Sequence, residues 1–173
     1  TKGPFNCATF PALPLRDFSI VFVGATWMQS SGAGQITIGT AGTGTDSSAT
    51  DQAQFSLSQG VTDGISHLFS AGASGQNYVP GNGVGRAVWV VTSDATSRRI
   101  WRNGVLVSTA SAASVANSAV GLGMFSRRIS GAWSTAPTDR WCGVFCESAV
   151  FGTALTDSAV AEIAALLMEK WGI

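Results

Sequence analysis

The sequence predicts an all-β, antiparallel two-sheet sandwich with one C-terminal α-helix. Three observations predict it. Short apolar runs with strand-like patterning follow one another without helical segments between them. An Asn-Gly pair, the strongest short hairpin signal, separates two of them. The hydrophobic period changes to that of a helix only after Thr156.

Residues 18–25 (FSIVFVGA) form a nearly continuous apolar run, as expected of a strand covered on both faces. Residues 29–52 are rich in Gly, Ser and Thr, with one short strand expected at 35–40. In residues 53–58, Ala53, Phe55 and Leu57 alternate with Gln54 and Ser56, the mark of a one-sided strand. Residues 64–70 repeat that pattern, and 71–83 read as a turn-rich loop around Tyr78 and Pro80. Residues 84–92 are strongly β. Residues 98–101 and 105–109 flank Asn103-Gly104, where both residues tolerate the positive φ of a type I′ turn. Another short strand is expected at 119–125. Residues 140–151 form the last and longest strand; Trp141, Phe145 and Phe151 on one parity and Cys142, Val144 and Val150 on the other are apolar, which predicts a central position.

Val160, Ile163, Ala164, Leu167, Met168 and Trp171 then fall on one helical stripe, predicting a helix over 156–171. Thr156 suits the N-cap, Asp157 and Glu162 suit the positive end of the helix dipole, and Gly172 suits termination. Residues 1–16 read as an N-terminal arm or first strand, and 17–173 as one sandwich domain. Thr1 is equally what Met removal would leave on a small complete protein and the start of a domain cut from a longer chain.

Composition narrows the function classes. Of the 173 residues, 45% are hydrophobic and only 12% charged, about half the usual charged share of about 25%. The solvated surface is therefore built largely from Ser, Thr, Asn, Gln and Gly, which suits an extracellular module, a polysaccharide binder or a coat subunit and excludes a disordered chain. Ten basic and ten acidic residues give a formal net charge of +0, which argues against nucleic-acid binding through a broad basic field. No transmembrane span or signal peptide is visible. Cys7, Cys142 and Cys146 are odd in number. On one strand, Cys142 and Cys146 would be about 13 Å apart, too far for a disulfide. Cys7 can reach one of them, but three free thiols are the preferred reading, and they suit folding in a reducing cytosol.

Two segments carry a resemblance. Residues 88–109 (VWVVTSDATSRRIWRNGVLVST) place Trp89 on a strand, then Trp101 ahead of Asn103-Gly104 and an apolar strand from Val105. Residues 143–173 run from Gly143 through Phe145 and Glu147 to Phe151, then Leu155-Thr156-Asp157 opens a helix ending Lys170-Trp171-Gly172-Ile173. Together they resemble the concanavalin A-like lectin/glucanase superfamily, and within it the laminin G-like domains of bacteriophage tail and virion proteins and of bacterial surface proteins. Arg102 departs from the apolar residue usual before Asn-Gly, Leu166-Leu167 stands where many members have Tyr-Leu, and the residues before Asp17 match nothing in the pattern. The resemblance implies a jelly-roll sandwich and a virion, extracellular or cell-surface location.

Enzymatic readings find little support in the residues. Retaining glycosidases need two carboxyl groups about 5 Å apart, and the superfamily's glucanases cluster theirs on one strand. Glu147 stands alone in its strand and is expected to accept hydrogen bonds from a neighbouring loop or an Arg. His67, the single histidine, has no Gly-x-Ser-x-Gly partner motif, and zinc lacks a Cys-x-x-Cys pair. The glycine-rich residues 39–45 lack the Lys-Ser/Thr ending of a phosphate-binding loop. No cofactor is expected. Calcium, which many laminin G-like domains hold through Asp side chains, has Asp46, Asp51 and Asp63 as loop candidates, without a spaced acidic motif.

Glycan binding is the preferred ligand reading. Sugar rings stack their C–H faces on aromatics, and their hydroxyls take hydrogen bonds from polar side chains. Trp27, Trp101 and Trp133 lie near loops or turns, whereas Trp89 and Trp171 have core periodicity. Tyr78, Arg98, Arg127 and Arg128 complete the candidate ligand-binding set. The expected partners are a glycan or other virion subunits in a homo-oligomer or larger assembly, without nucleic acid or membrane. The rival readings are a decoration or cement protein making subunit contacts, and an accessory domain of a secreted polysaccharide-active enzyme.

Overall fold

The structure, a computed structural model, describes residues 13–14, 17–26, 53–59, 63–69, 76–78, 85–111, 119–120, 128–129, 132–133 and 143–173, with side chains over 17–24, 85–111 and 144–173. The strands in chain order are β1 (Leu13–Pro14), β2 (Phe18–Thr26), β3 (Ala53–Gln59), β4 (Asp63–Phe69), β5 (Gln76–Tyr78), β6 (Ala87–Ser93), β7 (Ser97–Arg102), β8 (Val105–Ser111), β9 (Ala119–Val120), β10 (Arg128–Ile129), β11 (Ala132–Trp133) and β12 (Gly143–Phe151). Helix α1 (Asp157–Trp171) follows. A five-stranded sheet has the order β12-β2-β6-β7-β8, and a three-stranded sheet the order β3-β4-β5; β1 pairs with β9 and β10 with β11. Every described pairing is antiparallel.

The strands β2, β6 and β7 of the five-stranded sheet are buried on both faces. On one face, Val21 and Val23 of β2 lie opposite Val90 and Val88 of β6, and Val90 lies opposite Trp101 of β7. These five residues join Val160 and Ala164 of α1 in one core cluster. On the other face, Ile20 and Phe22 lie opposite Val91 and Trp89, and Val91 opposite Ile100, all buried. The three-stranded sheet meets this one through β3 near β2 and β5 near β8. The architecture is thus two antiparallel layers, with the helix on the outer face of the larger one.

Local chemistry explains the elements. Asn103 (φ 50°) and Gly104 (φ 77°) both adopt the positive φ that the hairpin sequence predicts. Asn103 also ties the turn back to β6: its Oδ1 accepts from the Val88 N–H at 2.9 Å, and its own N–H donates to the Val88 carbonyl at 2.8 Å. Thr156 caps α1 by accepting from the Ala159 N–H at 3.2 Å, and Gly172 ends it in the left-handed conformation (φ 63°). Ser19, fully buried, donates to the Thr153 carbonyl at 2.9 Å and accepts from the Leu155 N–H at 2.8 Å, which fixes the entry to the helix.

Some expectations need correction. The strand predicted centrally stands at the end of its sheet among the described residues, where β12 borders β2 alone. Its two apolar faces have a different cause. One packs beside α1 through Phe151, and the other stacks Phe145 on Phe22 at 5.7 Å between ring centroids. Part of the loop predicted at 71–83 forms β5 against β4. Strands β1, β10 and β11, of two residues each, carry too little periodicity to read. The strand expected at 35–40 lies outside the described residues.

Candidate functional site

The predicted ligand-binding residues divide sharply. Trp101 and Arg98 are built into the fold. Trp101 is 6% exposed, beneath Val160 and Ala164 of α1. Its position next to the hairpin suggested access to solvent, but the helix folds back over it. Arg98 is 2% exposed, on the face of β7 opposite Ser93, and burial pushes its guanidinium pKa down. Neither presents itself to a ligand. The sequence holds a signal for this: Trp101 falls on the same strand parity as the helix-facing Arg99, and Arg98 on the parity of Ile100.

Arg128 and Trp133 are brought together. They are register partners in the β10–β11 ladder, with Ile129 opposite Ala132. Directly opposed residues of an antiparallel pair have Cβ atoms about 5 Å apart. Arg128 and Trp133 are thus register neighbours on one short ribbon. Tyr78 lies in β5 opposite Ile65 of β4. Trp27 and Arg127 lie outside the described residues. The adjacency of Arg128 and Trp133 was hidden in sequence because the pairing joins two-residue strands.

The carboxylates with resolved partners have structural roles. Asp94 closes the turn between β6 and β7. Its Oδ1 accepts from the Thr96 N–H at 2.7 Å, the Thr96 hydroxyl at 2.8 Å and the Ser97 N–H at 2.7 Å, and its Oδ2 from the Ser97 hydroxyl at 3.1 Å. Desolvation pushes this carboxyl upward, but the bonds from Thr96 and Ser97 outweigh it and hold its pKa well below the usual range. Asp157 pairs with Arg99, whose other nitrogen reaches Asp94 at 3.5 Å. Glu147 accepts from Lys170 Nζ at 2.7 Å and from the Trp171 indole N–H at 3.1 Å, and both bonds lower its pKa. Its partners are therefore the end of α1 and not the loop or arginine expected.

Trp89 is 4% exposed, with the Arg102 guanidinium 5.5 Å from its ring centroid. Arg102 occupies the position where an apolar residue is usual, and cation–π contact explains how a charge is accommodated there. Among the described residues, no group of three His, Cys, Asp or Glu side chains converges as a metal site would require. Asp46 and Asp51 lie outside the described residues, and Asp63 begins β4. Cys146 is a half-buried free thiol, and Cys7 and Cys142 lie outside the described residues. No described helix is long and apolar enough to cross a membrane.

Comparison with known proteins places the fold. No protein-family model matches the sequence, and no curated protein matches it either. Solved structures do match. The carbohydrate-binding module CBM40 of the Ruminococcus gnavus IT-sialidase, bound to alpha2,3 sialyllactose, superposes with a TM-score of 0.66 at 13% identity, over 95% of this chain and 94% of the module. A native heptameric SAP-like pentraxin from Limulus polyphemus gives 0.63 at 11% identity, over 90% of this chain and 73% of the pentraxin. The leech intramolecular trans-sialidase gives 0.61 at 12% identity, over 95% of this chain but 27% of the enzyme. The fold is the jelly-roll, concanavalin A-like sandwich, antiparallel and closed by a C-terminal helix.

Proposed function

We propose that this chain is a non-catalytic, lectin-like glycan-binding module. The observation that carries the reading is its likeness, over nearly the whole of both chains, to a carbohydrate-binding module with a sialylated trisaccharide bound. Its hydroxyl-rich, weakly charged exterior supports it. So does the structural employment of Asp94, Asp157 and Glu147, none of which forms an acid–nucleophile pair with another carboxylate in the described contacts.

The binding groups in this reading are Trp133 and Arg128, with Tyr78, Trp27 and Arg127 as further contacts. Trp133 supplies a stacking face for a sugar ring, and Arg128 a fork for hydroxyls or a sugar carboxylate. The setting in this reading is a bacteriophage tail, fibre or virion surface, or a bacterial cell surface, supported by the resemblance of residues 88–109 and 143–173 to laminin G-like domains. A second reading, an accessory module within a larger glycan-active protein, is favoured by the match to about a quarter of the leech enzyme.

A glycan array that includes sialyllactose tests the proposal. We expect hits that Trp133→Ala abolishes and Arg128→Ala weakens at least about tenfold, the loss of one charge-assisted contact. An array without hits, or hits indifferent to both substitutions, would overturn it.

A further inference from the structure

We propose that Asn103-Gly104 is a latent deamidation site, held closed by the Val88 backbone and by α1, so that Asn103 converts to aspartate or isoaspartate only when the β7–β8 hairpin opens. This goes beyond glycan binding and does not depend on it.

The chemistry belongs to the pair itself. Asparagine is a thermolabile residue, and it is most labile before glycine, whose missing side chain leaves the following amide nitrogen open to react. In mildly alkaline water the Gly104 nitrogen gives its proton to hydroxide and bonds to the Asn103 Cγ. The Cγ–Nδ2 bond breaks, and the Nδ2 group takes a proton from water and leaves as ammonia. Water then opens the cyclic imide at either carbonyl. One cleavage leaves aspartate. The other leaves isoaspartate, whose main chain runs through the former side chain and is longer by one carbon. No oxidant or reductant takes part.

Three observations show how the fold opposes the first step. First, Asn103 and Gly104 have φ of 50° and 77°, and a turn of this type has a ψ of about 30° at its first central residue. Ring closure needs a large rotation about that same bond, to bring the Gly104 nitrogen over Cγ, and the rotation dismantles the turn. Second, the carboxamide that must move is anchored. Its Oδ1 accepts from the Val88 N–H at 2.9 Å, while the Asn103 N–H donates to the Val88 carbonyl at 2.8 Å. Turning the side chain toward Gly104 breaks the first of these bonds. Third, the turn lies against the helix. A Cβ on Gly104 would stand 3.4 Å from the Ala164 Cβ, and Ala164 is fully buried. The turn therefore has little room to swing on that side.

The two products differ in what they do to the hairpin. Aspartate keeps an oxygen for the Val88 N–H. Isoaspartate lengthens the chain between Arg102 and Val105, which are register partners, next to the pair of Trp101 and Leu106. Trp101 packs in one cluster with Val160 and Ala164 of α1. Conversion to isoaspartate thus opposes reclosure of the hairpin under the helix and leaves a covalent record that it has opened.

The test compares the full chain in mildly alkaline buffer with the same chain unfolded in urea, each digested with trypsin and followed by tandem mass spectrometry. The sequence supplies its own chemical reference, since Asn82-Gly83-Val84 repeats the tripeptide Asn103-Gly104-Val105. In urea we expect both asparagines to deamidate at similar rates. In buffer Asn103 should react at least about tenfold more slowly than in urea, because only the opened fraction of the chain reacts. Hydrogen exchange at the Val88 amide, followed by NMR, should be slowed by the same factor to within about threefold, since one opening governs both. Equal rates for Asn103 in buffer and in urea, an Asn103 inert in urea where Asn82 reacts, or deamidation in buffer that outruns the opening seen at Val88 would overturn the proposal.

Discussion

Single residues decide how tightly β2 and β12 approach. Gly24 of β2 lies opposite Phe145 of β12. A Cβ at this position would collide with the Val144 carbonyl oxygen and stand 2.5 Å from Phe22 Cζ. The Phe22 ring occupies the space that the absent side chain leaves, and it stacks on Phe145. Gly24→Ala is therefore expected to lower stability by about 2 kcal/mol or more, as overpacking of a close-packed core does, measured by urea denaturation. Wild-type stability in that variant would show that the two strands can separate without loss. The sequence contains Gly24 within a β run but not its reason, because the collision involves a strand about 120 residues away. Trp101 has the same lesson in reverse. Its neighbourhood in sequence is a turn, and its neighbourhood in space is the helix formed by the last residues of the chain.

At the scale of elements, the signals that were legible are local ones. The Asn103-Gly104 turn, the Thr156 cap and the Gly172 stop each rest on bonds or dihedrals within a few residues, and each appears where the sequence places it. The order of strands is a long-range property, so β12 reads as central from its two apolar faces although among the described residues it borders β2 alone. Periodicity reports which faces are covered and says nothing of how many neighbours a strand has. The β6–β7 turn gives an element-scale prediction. Asp94 has a pKa in the fold below its unfolded value, so its ionised form is the one the fold prefers. Its contribution is complete above the unfolded value, about 4, and declines as pH falls below it. Asp94→Ala should cost about 2 kcal/mol at pH 7, a typical loss for charge-assisted hydrogen bonds. The difference from wild type should shrink as the denaturation series moves below about pH 4. A difference that stays constant with pH would mean that the carboxylate charge plays no part in the turn.

At the scale of the whole molecule, two antiparallel layers and a helix leave one broad outer face closed. Helix α1 covers the outside of the five-stranded sheet, with Val160 and Ala164 fully buried against it. In the proposed function the ligand uses another part of the surface, with the β10–β11 ribbon, where Arg128 and Trp133 are register partners, as the candidate. Fold class was legible because it depends on composition and periodicity. The site was legible only as residue types, since two-residue strands leave no periodic trace. Saturation-transfer NMR of the full chain with a panel of glycans, alpha2,3-sialyllactose among them, tests recognition without cleavage most directly. The account predicts transfer from protein to the ring protons of at least one glycan, whose spectrum then stays unchanged over hours. Absence of transfer to every glycan, or new signals from a cleaved product, would contradict it.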